Sequence, residues 1–306
     1  MPVADLPVHN NLVLRSTSIN GIAIRNDVLF TNAQGQEDRR IQQRKEKMLQ
    51  KLLPALQRVL LPEEAVLCMT SARSPLSPLE QLTASIWLSI LAACTIVFTD
   101  KRVLFFPVKS GGGWRESVRA VSWGDLEEVK PKGALAKVVT FKFKNGTKTT
   151  YTAIPRAEAQ KIAAVAQSLL PASAGQITST QGLVQLCPDC RAVLTPGQYL
   201  CPACGLTFKN EKTMMIRSIL IPAGGYFYTG HSLIGILPAI VEVFLLVDIL
   251  VVLFAGQTAP EEKSALLSGL VVLAVFWAIE SAVTILHCRR FVREFIPETR
   301  DSLRAH

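Results

Sequence analysis

Two long apolar runs near the carboxyl end constrain this sequence more than any other feature. One run contains Glu242 and Asp248 as its only charged residues, and the other contains only Glu280. Because about 20 apolar residues in a helix can cross the hydrocarbon core of a bilayer, each run is long enough to span. We therefore predict a two-helix transmembrane hairpin. Its helices are expected over 232–256 and 264–287.

Basic residues flank this hairpin on the outside and are scarce in its loop. Lys209, Lys212 and Arg217 precede the first run and three arginines follow the second, whereas the loop contains a single lysine. Because short cytoplasmic segments carry the excess of Lys and Arg, both termini should be cytoplasmic. This predicts a multi-pass protein of the inner (cytoplasmic) membrane, with 288–306 as a cytoplasmic tail. No apolar stretch follows Met1, so we expect no cleaved signal peptide.

The three acids within the predicted spans are costly there, since an ionised carboxylate at mid-bilayer costs roughly 2.5–3.5 kcal/mol. In one interpretation, Glu242, Asp248 and Glu280 bind protons or cations in an oligomeric ion or small-solute transport assembly. In the other, they are protonated or hydrogen-bonded inside the hairpin or a homo-oligomer. Neither span contains a basic partner, and we favour the second interpretation.

The segment before the hairpin, 214–231, is too interrupted to cross a membrane alone. Pro222 and three glycines break its apolar residues. Tyr226, Phe227 and Tyr228 suit the headgroup level, where an aromatic ring and a hydroxyl each find a favourable environment. We predict an interfacial or re-entrant segment.

The same region carries a glycine-flanked Phe-Tyr-x-Gly element followed by a helix with an aspartate near its end. The residues concerned are Gly225, Phe227, Tyr228, Gly230 and Asp248. This arrangement resembles the TM2 family of small membrane modules. The sequence departs from that family in having Tyr226 where an arginine usually stands and in the second apolar run that follows.

Four of the seven cysteines form two CxxC pairs separated by ten residues: Cys187 with Cys190, and Cys201 with Cys204. Each pair lets two thiolates bind one ion from a tight turn, and four sulfurs complete a closed tetrahedral zinc site. The pattern resembles short zinc-ribbon modules, covers 186–208 and implies a structural Zn²⁺. Two redox motifs are the alternative, but neither pair opens a helix after a strand, as that chemistry requires.

A closed zinc site leaves no position for water, so the ribbon is expected to serve docking or spacing. Nucleic-acid binding would need basic and aromatic neighbours, and between the knuckles only Arg191 and Tyr199 qualify. A zinc-ribbon nucleic-acid-binding regulator is therefore an alternative that we do not favour. The other cysteines, Cys68, Cys94 and Cys288, are interpreted as buried thiols, with acylation of Cys288 as the alternative.

Residues 60–170 alternate between strand and turn patterns and end in a helix. The run 139–143 alternates apolar and polar residues before Asn145-Gly146, which is typical of a hairpin turn. Two further strands flank Thr99–Arg102. A helix after Pro155 presents one apolar stripe, which should cover the sheet.

Four features in this region occur in an informative order: a Thr-Asp-Lys-Arg turn, a Trp-x-Asp-Leu step, a lysine-bearing Asn-Gly hairpin and a final helix. They occupy Thr99–Arg102, Trp123–Leu126, Phe141–Thr147 and Pro155–Leu170. This order resembles the bacterial pleckstrin-homology-like domains. The resemblance implies a partly open antiparallel β-barrel with a carboxyl-terminal helix, which binds protein or lipid headgroup ligands and catalyses no reaction.

Five basic residues at two turns of this domain are candidate ligand-binding residues. Several cations that converge on one phosphate would suit a lipid headgroup. A solvated basic edge that discourages strand pairing is the alternative, and we favour it because the two turns are separate. The residues are Lys101, Arg102, Lys142, Lys144 and Lys148.

Leu82–Phe98 is uncharged and could be mistaken for a further span. It is shorter than about 20 residues, so a buried strand pair or a strand with a short helix is expected instead of a third crossing. Residues 1–59 form an amino-terminal segment with a basic helix, which we expect to be an ordinary exposed helix, with a membrane-surface or partner-binding helix as the alternative. Residues 171–185 are expected to form a flexible linker.

Together these patterns predict an α+β multidomain membrane protein. The net charge of +9 favours an anionic membrane surface or a nucleic acid as a partner without choosing between them. The sequence shows no catalytic motif, so we expect a membrane-anchored, cytoplasm-facing binding or adaptor protein and no enzyme. The expected partners are the lipid bilayer and an unidentified protein, with anionic lipid headgroups and further copies of the chain as additional candidates.

Overall fold

The computed structural model describes residues 16–32, 34–83, 92–109, 111–132, 138–173, 178, 180–254 and 260–298. These residues form two compact units. The first contains the residues up to Thr195 together with Cys201–Leu206. The second contains Pro196–Leu200 and the residues from Thr207 onward.

The described part of the first unit is built on two sheets. Its strands are β1 (Ser16–Ile19), β2 (Ile22–Arg25), β3 (Ala65–Arg73), β4 (Ala93–Thr99), β5 (Arg102–Pro107), β6 (Val118–Ser122), β7 (Leu126–Lys132), β8 (Val138–Phe143), β9 (Lys148–Tyr151), β10 (Val184–Leu186) and β11 (Val193–Leu194). One sheet has the order β1-β2-β3-β4-β5-β6-β10-β11, and the other has the order β7-β8-β9. The predicted Asn-Gly hairpin is confirmed, with Phe141 opposite Thr149 across β8 and β9.

Four described helices accompany the two sheets of the first unit. They are α1 (Asn26–Leu29), α2 (Arg39–Val59), α3 (Pro78–Thr83) and α4 (Arg156–Ala172). Side chains of β4 and β5 alternate between the two faces: Phe98 and Phe105 pack with the smaller sheet and α4, whereas Leu104 packs on the α2 side. This alternation explains why nearly every residue of these strands is buried.

The expectation of an exposed basic helix near the amino terminus is wrong. Leu49, Leu52, Leu56 and Val59 of α2 are all buried against the larger sheet. These residues recur at helical spacing, so they form one apolar stripe, while most of the basic residues between them face solvent. The apolar face of α2 is thus part of the first unit's core, because it covers a sheet face that would otherwise be exposed.

A buried ion pair joins α2 to α4. Lys45 Nζ lies 2.7 Å from Glu158 Oε1 and also donates to the Met69 carbonyl. Lys161, one turn farther along α4, donates to the Thr31 carbonyl at 2.8 Å, and its burial lowers the pKa of its ammonium group. Burial likewise raises the pKa of the nearby Cys68 thiol. The Lys45–Glu158 pair therefore links the two helices, although their apolar residues belong to separate core clusters.

Within 60–170 the described strands pair antiparallel in both sheets, and the two sheets meet through reciprocal backbone hydrogen bonds between Arg73 and Thr152. Outside this region, β2 extends the larger sheet and runs parallel to β3. The predicted linker and ribbon are not separate from this fold either, because β10 pairs with β6, with Gln185 opposite Arg119. In Leu82–Phe98, α3 ends at Thr83, β4 accounts for the last residues, and 84–91 lie outside the described residues.

The described part of the second unit is helical. Its helices are α5 (Glu211–Leu220), α6 (Gly224–Thr229), α7 (Ser232–Phe254) and α8 (Pro260–Val292). Among the described side chains, one helical segment, Leu267–Val292, is long and apolar enough to cross a membrane. The helix therefore continues past the predicted boundary at residue 287, and the first residues of the predicted tail belong to it. The last residues, 299–306, lie outside the described residues.

α5 and α6 fold back on each other beside α8. At one end, Glu211 Oε1 lies 3.3 Å from Arg293 Nε, and His231 stacks on Phe291 with ring centroids 3.8 Å apart. The turn between the two helices contacts other parts of the unit, since the Ala223 N–H donates to Glu242 Oε2 at 3.2 Å. The start of α5 and the end of α6 therefore lie at the same end of α8.

Candidate functional site

The four predicted metal-ligating cysteines come together in the first unit. Their sulfur atoms all lie within 4.8 Å of one another. Two of the contacts join the knuckles, with 3.6 Å between the sulfurs of Cys187 and Cys204 and 3.5 Å between those of Cys190 and Cys201. A tetrahedral zinc site with Zn–S bonds of about 2.3 Å has sulfurs about 3.8 Å apart. The cluster thus has nearly the dimensions that one metal ion requires.

Both knuckles have the same backbone hydrogen bonds. The Arg191 N–H donates to the Cys187 carbonyl at 3.0 Å, and the Gly205 N–H donates to the Cys201 carbonyl at 3.0 Å. Both donors have left-handed backbone, with φ of +67° at Arg191 and +73° at Gly205. Glycine adopts this conformation without steric cost, whereas an L-residue such as Arg191 pays roughly 1 kcal/mol. The turn geometry that brings the sulfurs together is therefore retained at Arg191 in spite of this cost.

The electrostatics of the cluster differ from one sulfur to the next. Burial raises the pKa of Cys187 and of Cys204. Burial also acts to raise the pKa of Cys201. This effect is outweighed by hydrogen bonds from the backbone N–H groups of Cys204 and Ala203 and from neighbouring thiols, which lower the pKa to about 7. These hydrogen bonds thus favour the thiolate form of Cys201, and a cation among the four sulfurs would favour thiolates throughout the cluster.

The two residues that could have favoured nucleic-acid binding by the ribbon each contact another part of their own unit. Arg191 Nη1 donates to the Leu60 carbonyl at 3.1 Å within the first unit. Tyr199 packs against Phe295, with ring centroids 6.2 Å apart, within the second unit. These contacts give both residues a structural role.

The candidate ligand-binding cations of the two turns have different partners. Arg102 lies against Glu64, with Nη2 2.9 Å from Oε2, and Lys101 Nζ donates to the Pro62 carbonyl at 2.8 Å. Lys142 pairs with Glu127 of the neighbouring strand β7 in the smaller sheet. Lys144 is half-buried and Lys148 is exposed. No contact joins the two turns within the described residues, so the structure favours the interpretation as separate basic edges.

Glu64 is a residue of this region that the sequence reasoning missed. It is 2% exposed and, besides Arg102, accepts hydrogen bonds from the Thr99 hydroxyl at 2.7 Å and the Leu61 N–H at 2.7 Å. The Thr99 carbonyl in turn accepts from Trp123 Nε1 at 2.9 Å. The Thr-Asp-Lys-Arg turn is thus held by one buried carboxylate and by the later tryptophan, which gives the motif a structural role.

The second half of the Trp-x-Asp-Leu step holds the segment after α4. Asp125 is buried, and its Oδ1 accepts from the Thr178 N–H at 2.8 Å. Nearby, the Asn145 N–H donates to the Gln181 carbonyl at 3.1 Å. The described residues of the predicted flexible linker are therefore fixed to the first unit, and this expectation is wrong for them.

The three acids of the predicted spans do not converge. Glu242 is 3% exposed, with Oε2 bonded to the Ala223 N–H and Oε1 without a partner. Asp248 is exposed on the same helix, and Glu280 on α8 accepts from the Thr284 hydroxyl at 3.4 Å. Glu242 thus accepts a hydrogen bond from a backbone N–H in the turn between α5 and α6, which is a structural use of this acid.

Tyr226 and Tyr228, for which the sequence predicts the headgroup level, are buried within the second unit. The Tyr226 hydroxyl is 2.6 Å from His287 Nδ1, and the Tyr228 hydroxyl accepts from the Asn210 N–H at 3.1 Å. Of the three aromatic residues, Phe227 alone is exposed. The Tyr226–His287 contact joins residues far apart in sequence, and no local pattern could have revealed it.

Glycines explain the close approach of α6 to its neighbours. A Cβ on Gly224 would lie 2.1 Å from the Arg217 carbonyl oxygen, and one on Gly225 would lie 2.2 Å from the Ser218 hydroxyl. Cys288 is fully buried in the same region. This burial agrees with its interpretation as a packed thiol and gives no access for acylation.

Comparison with known proteins agrees with the first unit. Residues 60–168 match the bacterial PH domain family. The match covers the turn around Arg102, the Trp123 step, the Asn-Gly hairpin and most of α4, so the predicted pleckstrin-homology-like domain is confirmed over these residues. We refer to this region as the PH-like domain. In the described residues its strands form two sheets and not one closed barrel.

One solved structure is also similar. The crystal structure of the C-terminal domain of an unknown protein from Leishmania infantum is 10% identical, and the match covers 42% of this chain and 98% of that one, with a TM-score of 0.26. No match was found among curated proteins.

Proposed function

We propose that this chain is a membrane-anchored binding or adaptor protein that presents a PH-like domain on the cytoplasmic side of the inner membrane. The observation that carries the proposal is the presence, in one chain, of the bacterial PH domain match over 60–168 and a helix, Leu267–Val292, able to span a bilayer. A domain class used for binding would thereby be held close to the membrane surface.

Two-pass topology with both termini inside is part of this proposal. α7 has 23 residues, and most of its described apolar side chains are exposed, as lipid-facing residues would be. The basic residues before α7 and at the end of α8 favour cytoplasmic ends. The fold-back of α5 and α6 supports the re-entrant alternative for 214–231, since both ends of the pair lie at one end of α8.

We further propose that the cysteine cluster holds a structural Zn²⁺ as a ribbon. The sulfur separations and the paired knuckle hydrogen bonds support this assignment. Such an ion, when bound, cross-links the two knuckles. With four sulfur ligands it has no open coordination position. Because β10 pairs with β6, the ion would fix the last strands of the larger sheet.

A protein is the ligand that the PH-like domain supports best. Arg102 and Lys142 are paired with acids, and the basic turns are not brought together, so the domain lacks a convergent phosphate site among its candidate residues. Binding of a protein needs no such convergence.

The membrane topology can be tested with epitope tags in intact spheroplasts. Tags at both termini should resist external protease, whereas a tag inserted in the loop between α7 and α8 should be cleaved. The chain should also stay in the membrane after alkaline carbonate washing. Cleavage of either terminal tag, or release by carbonate, would contradict the proposed anchoring.

The binding role can be tested by photo-crosslinking of the full chain in cells. A crosslinking residue at exposed Lys130 or Lys148 of the PH-like domain should give a discrete adduct with another protein. The same residue at exposed Lys212 in α5 is the matched control and should not give that adduct. Adducts with lipid alone at the first two positions would favour the headgroup alternative and reject a protein ligand.

A further inference from the structure

Two cationic side chains of the second unit converge on a single aromatic ring. Arg217 Cζ lies 4.9 Å from the centroid of Tyr228, and Lys209 Nζ lies 5.6 Å from the same centroid. The ring is itself fixed, because its hydroxyl accepts from the Asn210 N–H at 3.1 Å. Cation–π contacts of this kind hold charged groups at a defined position.

The position of Arg217 along α5 makes this convergence informative. Arg217 lies in the last turns of the helix, yet its guanidinium reaches Tyr228, whose hydroxyl bonds to the residue that caps the helix start. Helical side chains point toward the amino terminus, and long basic side chains extend along apolar surface to place their charge in a polar layer. The charge of Arg217 is thus displaced toward the end of the unit at which Glu211 and Arg293 lie.

The surface beyond Arg217 is apolar and exposed. Leu220 is 72% exposed, and Ile219 and Ile221 are about half exposed. The Ile219 carbonyl accepts from Trp277 Nε1 at 3.3 Å, so this ridge lies beside the segment of α8 that is able to span a membrane. The cationic groups therefore lie toward the start of α5, and exposed aliphatic side chains lie at its end.

This order matches one phospholipid molecule. A phosphodiester accepts charge-assisted hydrogen bonds from guanidinium and ammonium groups, and acyl chains pack on aliphatic side chains. We infer that Lys209 and Arg217, placed around Tyr228, bind the phosphate of an anionic phospholipid whose acyl chains lie along Ile219–Ile221. The inference rests on the proposed membrane anchoring, and it assigns lipid binding to the second unit and not to the PH-like domain.

The test uses the full chain in nanodiscs that contain phosphatidylcholine with or without phosphatidylglycerol. Lipids retained after transfer to detergent are counted by native mass spectrometry. The wild type should retain phosphatidylglycerol in preference to phosphatidylcholine. The double variant Lys209→Gln with Arg217→Gln should bind it about tenfold or more weakly, because two hydrogen bonds from charged groups are lost.

A second double variant, Lys212→Gln with Arg289→Gln, is the matched control. It removes the same charge from two exposed positions of the same unit that make no ring contact with Tyr228. The affinity of this variant for phosphatidylglycerol should fall less than threefold, because exposed charges are screened by salt and contribute little. Equal losses in the two double variants would overturn the site and leave only a general attraction of basic residues to the leaflet.

A free phosphate is distinguished from a lipid in the same assay. Glycerol phosphate added at the concentration of phosphatidylglycerol should not displace the retained lipid, because it lacks the chains that contact the aliphatic ridge. Displacement would overturn the lipid assignment. Release of the wild type from carbonate-washed membranes would instead overturn the proposed anchoring and this site together, whereas membrane retention without lipid selectivity would overturn the site alone.

Discussion

Replacing Cys187 by serine should abolish metal binding and unfold the ribbon in the otherwise intact chain. The sulfur of Cys187 lies 3.6 Å from that of Cys204, so its loss opens a four-sulfur cluster on its buried side. Structural zinc contributes about 10–16 kcal/mol of apparent binding free energy in small zinc-finger peptides. The purified wild type should contain about one zinc ion per chain. The variant should contain less than about a tenth of that, by elemental analysis.

The structural consequence should reach beyond the knuckles. Because β10 pairs with β6 and with β11, loss of the ion should increase hydrogen exchange in all three strands while the Asn-Gly hairpin stays protected. Treating the wild type with a zinc chelator should reproduce this pattern without any mutation. The agreement between the two perturbations would assign the effect to the metal and not to the serine.

Cys94→Ala provides the control for loss of a buried thiol. Cys94 is 1% exposed in the core of the first unit and is not part of the four-sulfur cluster. It should keep the full zinc content and the exchange protection of β10 and β11. A wild-type protein that contains no zinc but shows disulfides within each CxxC pair would instead favour the redox alternative.

The parts of the fold that could be predicted from sequence are those encoded over short distances. The CxxC spacing determines which four sulfurs meet. Each knuckle is closed by a backbone hydrogen bond between residues four positions apart, such as the one from the Arg191 N–H to the Cys187 carbonyl. The Asn145-Gly146 turn is similarly local, since Gly146 supplies the left-handed backbone with φ of +82° that the turn requires. These predictions needed no knowledge of distant contacts.

The wrong predictions depend on partners that are remote in sequence. The apolar stripe of α2 is hard to recognise in the sequence because basic residues are interleaved with the apolar ones. The surface that buries this stripe is formed by Leu104 of β5 and by residues of the neighbouring strands. The linker appeared flexible by composition, yet Asp125 binds Thr178 across more than fifty intervening residues. Strand β10 has only three residues, too few for an alternating pattern to indicate that it belongs to the sheet.

Glu64→Ala should produce the largest loss of stability of any single charged residue in the PH-like domain. Its carboxylate accepts from Arg102 Nε at 3.0 Å and Nη2 at 2.9 Å and from the Thr99 hydroxyl. Removing it leaves the Arg102 guanidinium, whose side chain is 13% exposed, without its counter-ion. Breaking a buried ion pair on one side costs about 3–5 kcal/mol, because the remaining charge stays desolvated. Hydrogen exchange of β4 and β5 in the full chain should therefore accelerate by roughly 10²–10³-fold.

Two further variants separate the pair from a general effect of losing an acid. Glu127→Ala removes the partner of Lys142, but this pair is partly exposed, so it should cost about 1 kcal/mol or less. Adding Arg102→Met to Glu64→Ala removes the uncompensated charge and should restore part of the lost protection. If the double variant recovered no protection relative to Glu64→Ala alone, the carboxylate would act mainly by accepting from Thr99 and Leu61. The motif that resembles the PH-like domains would then be held by backbone and hydroxyl contacts, with the arginine in a secondary role.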